Sequence, residues 1–177
     1  NFYSKGMGIL GELTEAEVTE QLLAEVRKWS EADSLIPAIP AIHYIAVTGQ
    51  RSAGKDGMYR LRMPAHQVDK ALSLARSMNA LLFLDIQVGH SSLNKELPPL
   101  VEYLKQPDVH LGIDPEYSMK GGEVPCTRIG TFDATDINDA VLYLSALVKE
   151  YKLPPKILVV HMEWTNSNES LSWKPHK

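Results

Sequence analysis

The sequence predicts an α/β domain built of parallel βα units. Three observations predict it. Four short runs are almost wholly apolar, helical periodicity fills the intervals between them, and proline or glycine marks most of the junctions. A strand that is apolar on both parities suits a parallel sheet under helical cover. Such units wind right-handed and carry their chemistry at the carboxyl ends of the strands. A complete eight-stranded barrel usually takes about 250 residues, and about 200 is near the floor. With 177 residues and four clear strands, the chain suits a TIM-barrel-like arrangement that is partial or trimmed, or an open sheet. One domain is expected over 1–177, with a polar tail from about residue 165.

In chain order, Gly6–Gly11 (GMGILG) reads as a short strand or a loop. Thr14 with Glu17 three residues on forms a capping box, and Val18, Leu22, Val26 and Trp29 then recur at helical spacing. Pro37 and Pro40 introduce the first strand, Ile42–Thr48. A polar loop over 49–57 follows, and Pro64 suits the first turn of a helix carrying Val68, Leu72, Ala75 and Met78. Leu81–Val88 is the second strand, with a short helix near Pro98–Lys105 and a third strand at Val109–Asp114. A loop covers Met119–Gly130. Asp136 or Thr135 then starts a helix with Ile137, Val141, Leu144, Val148 and Tyr151 as its apolar stripe, and Lys156–Glu163 is the fourth strand.

Composition narrows the function. The chain is 44% hydrophobic and 23% charged, enough for a packed core. Lys and Arg total 18 against 22 Asp and Glu, a net charge of -4 that gives no electrostatic footprint for nucleic acid or an anionic membrane. Cys126 is the single cysteine, which excludes an internal disulfide and a multi-cysteine metal module. No apolar run approaches the roughly 18 residues that span a bilayer. No basic start leads into an apolar stretch, so no signal peptide is expected. A small-molecule or glycan ligand remains the partner class to expect, and oligomeric state is left open.

Side chains alternate across a strand, so parity can be read directly. In the second strand Leu82, Leu84, Ile86 and Val88 share one face, while Leu81, Phe83, Asp85 and Gln87 share the other. In the third, Val109, Leu111 and Ile113 oppose His110, Gly112, Asp114 and, beyond the strand, Glu116. In the fourth, Leu158, Val160 and Met162 oppose Ile157, Val159, His161 and Glu163. In the first, Tyr44, Thr48 and Gln50 share a parity, and His43 breaks the opposite face. If the polar faces align, Asp85, Gln87, Asp114, Glu116, His161 and Glu163 meet in one cavity. Buried carboxylates cost several kcal/mol unless paired, so a fold seldom keeps such a set for packing alone. The plainer alternative is that each residue caps a helix or pairs at a loop edge.

Paired carboxylates at different strand ends are the machinery of glycoside hydrolysis, one protonated as acid and the other serving as nucleophile or base. Asp85 with Glu116, or Asp114 with Glu163, would supply such a pair, although Asp114-Pro115 is also a common way to start a turn. No cofactor is required, but a divalent metal is an option, with His161, His110, Asp85 and Asp114 as ligands. No tight ligand spacing supports it, and His110 inside a strand reads better as a satisfied core histidine. Gly49–Asp56 approaches the phosphate-binding G-x-x-x-x-G-K-[ST] loop, but Asp56 replaces the hydroxyl residue and no helix follows at once. Ser91 and Ser92 follow His90 without a nucleophile elbow. Tyr59, Tyr117, Trp164 and Trp173 fall at loops or strand ends, suited either to sugar stacking or to edge packing.

The stretches LLFLDIQVGHSS, VHLGIDPEYSM, RIGTFDATDIN and LPPKILVVH, in this order, resemble a group of largely uncharacterised bacterial proteins. The similarity runs from about Gly6 to His161. Those proteins are often taken to be exported or lipid-anchored, with a TIM-type barrel. The resemblance implies an extracellular or cell-envelope location and a hydrolase-like barrel acting on glycans, and it highlights Asp85, Gln87, Asp114, Glu116 and His161. The members of that group continue beyond His161 with further βα units, whereas this sequence turns polar.

The expectation is therefore a hydrolase of glycans or related envelope polymers. Glu116 is the expected acid, Asp85 or Asp114 the nucleophile, base or stabiliser, and His161 and Gln87 orient substrate. Gln50, Tyr117, Glu163 and Trp164 complete the expected binding residues. A non-catalytic surface binding protein on a degenerate barrel and a metal-dependent hydrolase are the competing readings.

Overall fold

The computed structural model describes residues 2–161. A 3₁₀ turn at Lys5–Met7 leads into α1 (Ile9–Glu12), so the GMGILG stretch is helical rather than a strand. Helix α2 (Glu15–Ala32) starts at the expected capping box, with Thr14 N–H donating to Glu17 Oε2 at 2.8 Å and Glu17 N–H to Thr14 Oγ1 at 3.3 Å. Its expected stripe is buried only in part. Val18 is buried and Leu22 packs on the core, whereas Trp29 is exposed.

Strand β1 (Ala41–Gly49) forms a hairpin with β2 (Arg60–Arg62), a stretch between the expected loop and Pro64 to which the sequence assigns no element. Three residues, between Tyr59 and Met63, are too few for periodicity to register. Helix α3 (Ala65–Ser77) follows Pro64 and buries Val68, Ala71, Leu72, Leu74 and Ala75. Strand β3 (Leu81–Ile86) leads to α4 (Leu93–Glu96), a 3₁₀ turn at Pro98–Leu100 and α5 (Val101–Leu104). Strand β4 (Val109–Ile113) leads through a long loop to α6 (Ala134–Tyr151), and β5 is Leu158–Val160. The cap of α6 lies earlier than expected, at Asp133, which forms a capping box with Asp136. Its buried stripe also differs. Ala140, Leu144 and Leu147 face the core, while Val141 and Tyr151 face solvent.

The sheet order is β2-β1-β3-β4-β5, with β1, β3, β4 and β5 parallel and β2 antiparallel to β1. The fold is thus α/β and mostly parallel, with one antiparallel edge that the sequence reading did not anticipate. Arg60 and Arg62 suit that edge, because charged side chains discourage further pairing. Spatial order follows chain order from β1 to β5, and right-handed crossovers then carry every connecting helix to the same face. That face holds Ile42, Tyr44, Leu82, Leu84, Ile86, Val109, Leu111 and Ile113, all buried. The sheet does not close on itself among the described residues. No described helix is long and apolar enough to cross a membrane.

Leu111 sits at the middle of this layer, between Leu84 and Leu158 in register and 0% exposed. Leu111→Ala is expected to cost about 2–5 kcal/mol through lost burial and the cavity left behind. Leu142→Ala, on the exposed side of α6, is expected to stay within about 0.5 kcal/mol of the parent. Urea midpoints of the two variants measure the contrast, and similar midpoints would misplace the core.

Candidate functional site

The opposite face of the sheet carries the candidate chemistry. One register level comprises Ile45, Asp85, Gly112 and Val159, on β1, β3, β4 and β5. Asp85 is buried, and both of its oxygens meet imidazoles. Its Oδ1 lies 3.1 Å from His161 Nε2 and its Oδ2 lies 3.2 Å from His43 Nδ1. Gly112 makes the first contact possible. A Cβ there would overlap the Asp85 carboxylate, so only glycine on β4 lets a residue after β5 reach across to β3. His161 is held in place by its own N–H, which donates to Ile113 O at 2.9 Å and extends the parallel ladder past β5.

His43 was seen in the sequence only as an interruption of parity. The structure places it on the site face, its ring stacked on Phe83 at 4.5 Å and 5° and edge-on to His161 at 5.3 Å. Tyr44, grouped by parity with Thr48 and Gln50, instead points into the helix-side core and is fully buried. The register of β1 against β3 shifts between Ile45 and Val47, and an extra residue there re-aims every side chain beyond it. Read from the amino end of β1 alone, the Phe83-His43 level would have revealed the histidine.

A second group lies one step further toward the carboxyl ends. Gln87 accepts from Gly49 N–H at 3.1 Å and donates through Nε2 to Asp114 Oδ2 at 3.0 Å. Asp114 Oδ1 accepts the Glu116 N–H at 3.2 Å and caps the 3₁₀ turn Pro115–Tyr117. The turn-starting role and the site role of Asp114 therefore coexist. Burial pushes the Asp114 carboxyl above the ordinary aspartate value. The Gln87 bond opposes that rise, and the negative charge of Glu116 adds to it.

Glu116 and Tyr117 line a cleft of about 280 Å³ with Cys126, Thr127, Arg128 and Ile129. Tyr117 packs its ring on Gly49, where a Cβ would come within 2.5 Å of it. Three loops interlock around this rim. His90 N–H donates to Met58 O at 2.9 Å, Met119 N–H to Gly89 O at 3.0 Å, and Arg51 Nη2 to Cys126 O at 3.4 Å. Gly89 has φ 59° and lies against the Met58 and Tyr59 carbonyls, so the crossing requires glycine.

Other expected residues are used differently. Gln50 turns back on its own loop, donating to Ser52 O at 3.1 Å. His110 accepts the Ile157 N–H on Nδ1 at 3.1 Å, a structural role that removes it from the ligand set, and burial lowers its pKa. Asp56 pairs with Arg60 at 2.8 Å, which accounts for the acidic residue where a phosphate loop would carry a hydroxyl. Tyr59 packs against His90 rather than standing free. Glu163, Trp164 and Trp173 lie outside the described residues.

The geometry thus gives a buried carboxylate clasped by two imidazoles, with a second, half-buried carboxyl and a glutamate beside a cleft of mixed polar and apolar lining. No protein-family model matches the chain, and searches of curated proteins and of solved structures found no match either.

Proposed function

We propose that the protein is a hydrolase of glycans or related cell-envelope polymers, working at the carboxyl ends of β3, β4 and β5. One observation carries the reading: Asp85 and Asp114, on neighbouring parallel strands, sit in opposite surroundings. Asp85 is buried and meets two imidazoles, whereas Asp114 is half-buried beside a primary amide and near Glu116. Two acids held in different environments are how one site keeps a proton donor and an acceptor together. Asp114, its pKa raised, is the proton donor to the leaving oxygen. Asp85 with His161 is the acceptor that draws the proton from attacking water, and Gln87 fixes the donor's orientation.

This divides the roles differently from the sequence expectation, which gave the acid to Glu116. Here Glu116 helps raise Asp114 and borders the cleft that receives substrate. The cleft sets carboxylate, guanidinium, hydroxyl and phenol groups among apolar surface that includes Ile129, a mixture that suits the hydroxyls and ring faces of a sugar. The sequential order of β1, β3, β4 and β5 is that of consecutive strands in a TIM-type barrel, and we read the open sheet as an arc of one.

Asp114→Asn and Asp85→Asn are each expected to lower turnover of a responsive glycan by about 10²–10⁴, the usual worth of one acid–base group. The pH profile separates them. A donor must be protonated, so parent activity falls as pH rises through the raised Asp114 value, and Asp114→Asn removes that alkaline limb. Turnover unchanged in both variants across a panel of polysaccharides would overturn the assignment.

A further inference from the structure

The geometry points to a divalent transition-metal site of the zinc type, formed by His43, Asp85 and His161. Nδ1 of His43, a carboxylate oxygen of Asp85 and Nε2 of His161 all lie within 4.8 Å of one another. The Asp85-to-imidazole separations are 3.1 and 3.2 Å. Nitrogen and oxygen ligands about 2.0–2.2 Å from one zinc ion stand a little over 3 Å apart, so each imidazole already stands at ligand spacing from its own Asp85 oxygen, and an ion would draw the wider gaps of the trio closed.

Four further features favour a cation over a purely hydrogen-bonded cluster. Asp85 has a side chain only 7% exposed, and a buried carboxylate facing two imidazoles is better compensated by a full positive charge than by two N–H dipoles. The ligands come from β1, from β3 and from the residue just past β5, so the sheet fixes their spacing. Phe83 holds the His43 ring in plane, and Gly112 keeps the gap between Asp85 and His161 clear. The histidine side chains are 37% and 44% exposed, leaving solvent access to the open coordination positions.

Two imidazoles with one carboxylate suit zinc and its first-row neighbours. Magnesium and calcium prefer all-oxygen sets. The inference concerns binding: an ion here would take the lone pairs that the acceptor role of Asp85 and His161 uses, so it is tested on the ion alone and not through turnover.

Titration of zinc into the chelator-treated, dialysed protein, followed by calorimetry, tests it. One zinc per chain is expected at micromolar affinity or tighter, with no heat from magnesium. His43→Ala and His161→Ala are each expected to weaken binding at least tenfold, and the double variant to abolish it. Both side chains are partly exposed, so circular dichroism should show the variants folded. Cobalt substitution gives a second readout, through visible absorption bands that the double variant loses. Absence of zinc uptake, or uptake unchanged in the double variant, would overturn the proposal. A zinc isotherm without turnover on any polysaccharide would remove the hydrolase reading and keep the ion.

Discussion

Glu96→Ala is expected to cost about 3–5 kcal/mol of stability, the loss that follows when one partner of a buried ion network is removed. The Glu96 side chain is 0% exposed and is surrounded by donors. Arg60 Nε donates to its Oε1 at 2.9 Å and Arg62 Nε to its Oε2 at 2.7 Å, while Ser91 Oγ donates to Oε1. Arg60 is itself 9% exposed, so the alanine variant strands a buried guanidinium with only the half-exposed Asp56 as partner. Glu96→Gln keeps the volume but turns an amide N–H₂ toward an arginine donor, and a smaller loss of about 2 kcal/mol is expected. Urea unfolding with an unchanged slope measures both. Equal midpoints for parent and alanine variant would refute the network's importance.

The pH dependence has a definite sign. Burial alone would raise the Glu96 carboxyl, but bonds from Arg62, Ser91 and Arg60, with the Arg60 charge, outweigh it and hold the group below the usual glutamate value. Its contribution is then present above an unfolded-state pKa of about 4.3, and it is lost as pH falls through the lower folded value. Acid unfolding of the parent should steepen in that window, and Glu96→Ala should flatten it. The network also reaches toward the site. It ties the edge strand β2 and the loop after β3 to α4, so its loss loosens two of the loops that form the rim.

Much of this architecture was legible because it rests on local rules. Parity separated Leu82, Leu84 and Ile86 from Phe83, Asp85 and Gln87, and parallel register then brought Asp85, Gln87, Asp114 and His161 to the same end of the sheet. The remainder depends on tertiary detail. Nothing local marks β2 as a strand, since Arg60–Arg62 acquires its role from pairing with β1 and from the buried Glu96. Glu96 itself reads as an ordinary surface glutamate, and its burial follows from two arginines more than thirty residues away. Parity does not place His43, because an irregularity inside β1 shifts it partway along the strand. The apolar stripe of α6 was displaced for a related reason. Alternating four- and three-residue steps from Ile137 fit two overlapping faces, and packing on the sheet selected the one through Ala140 and Leu147.

Gly112→Ala is expected to damage the site without altering any of its polar groups, while leaving the fold standing. The added methyl group would occupy the space of the Asp85 carboxylate, so that carboxylate must swing away from His161, His43 or both. Overpacking of this kind costs about 1–3 kcal/mol, less than the Glu96 loss. Turnover that depends on the Asp85–His161 pairing should nevertheless fall at least tenfold, and zinc affinity with it. A double-mutant cycle isolates the cause. With Asp85→Ala already present there is no carboxylate to displace, so Gly112→Ala should then add little further destabilisation. The two sites should couple by about 1–2 kcal/mol, a size expected only of residues in contact. Independent effects in that cycle, or a Gly112→Ala structure that keeps Asp85 on both histidines, would mean that the glycine is not what lets β5 reach β3.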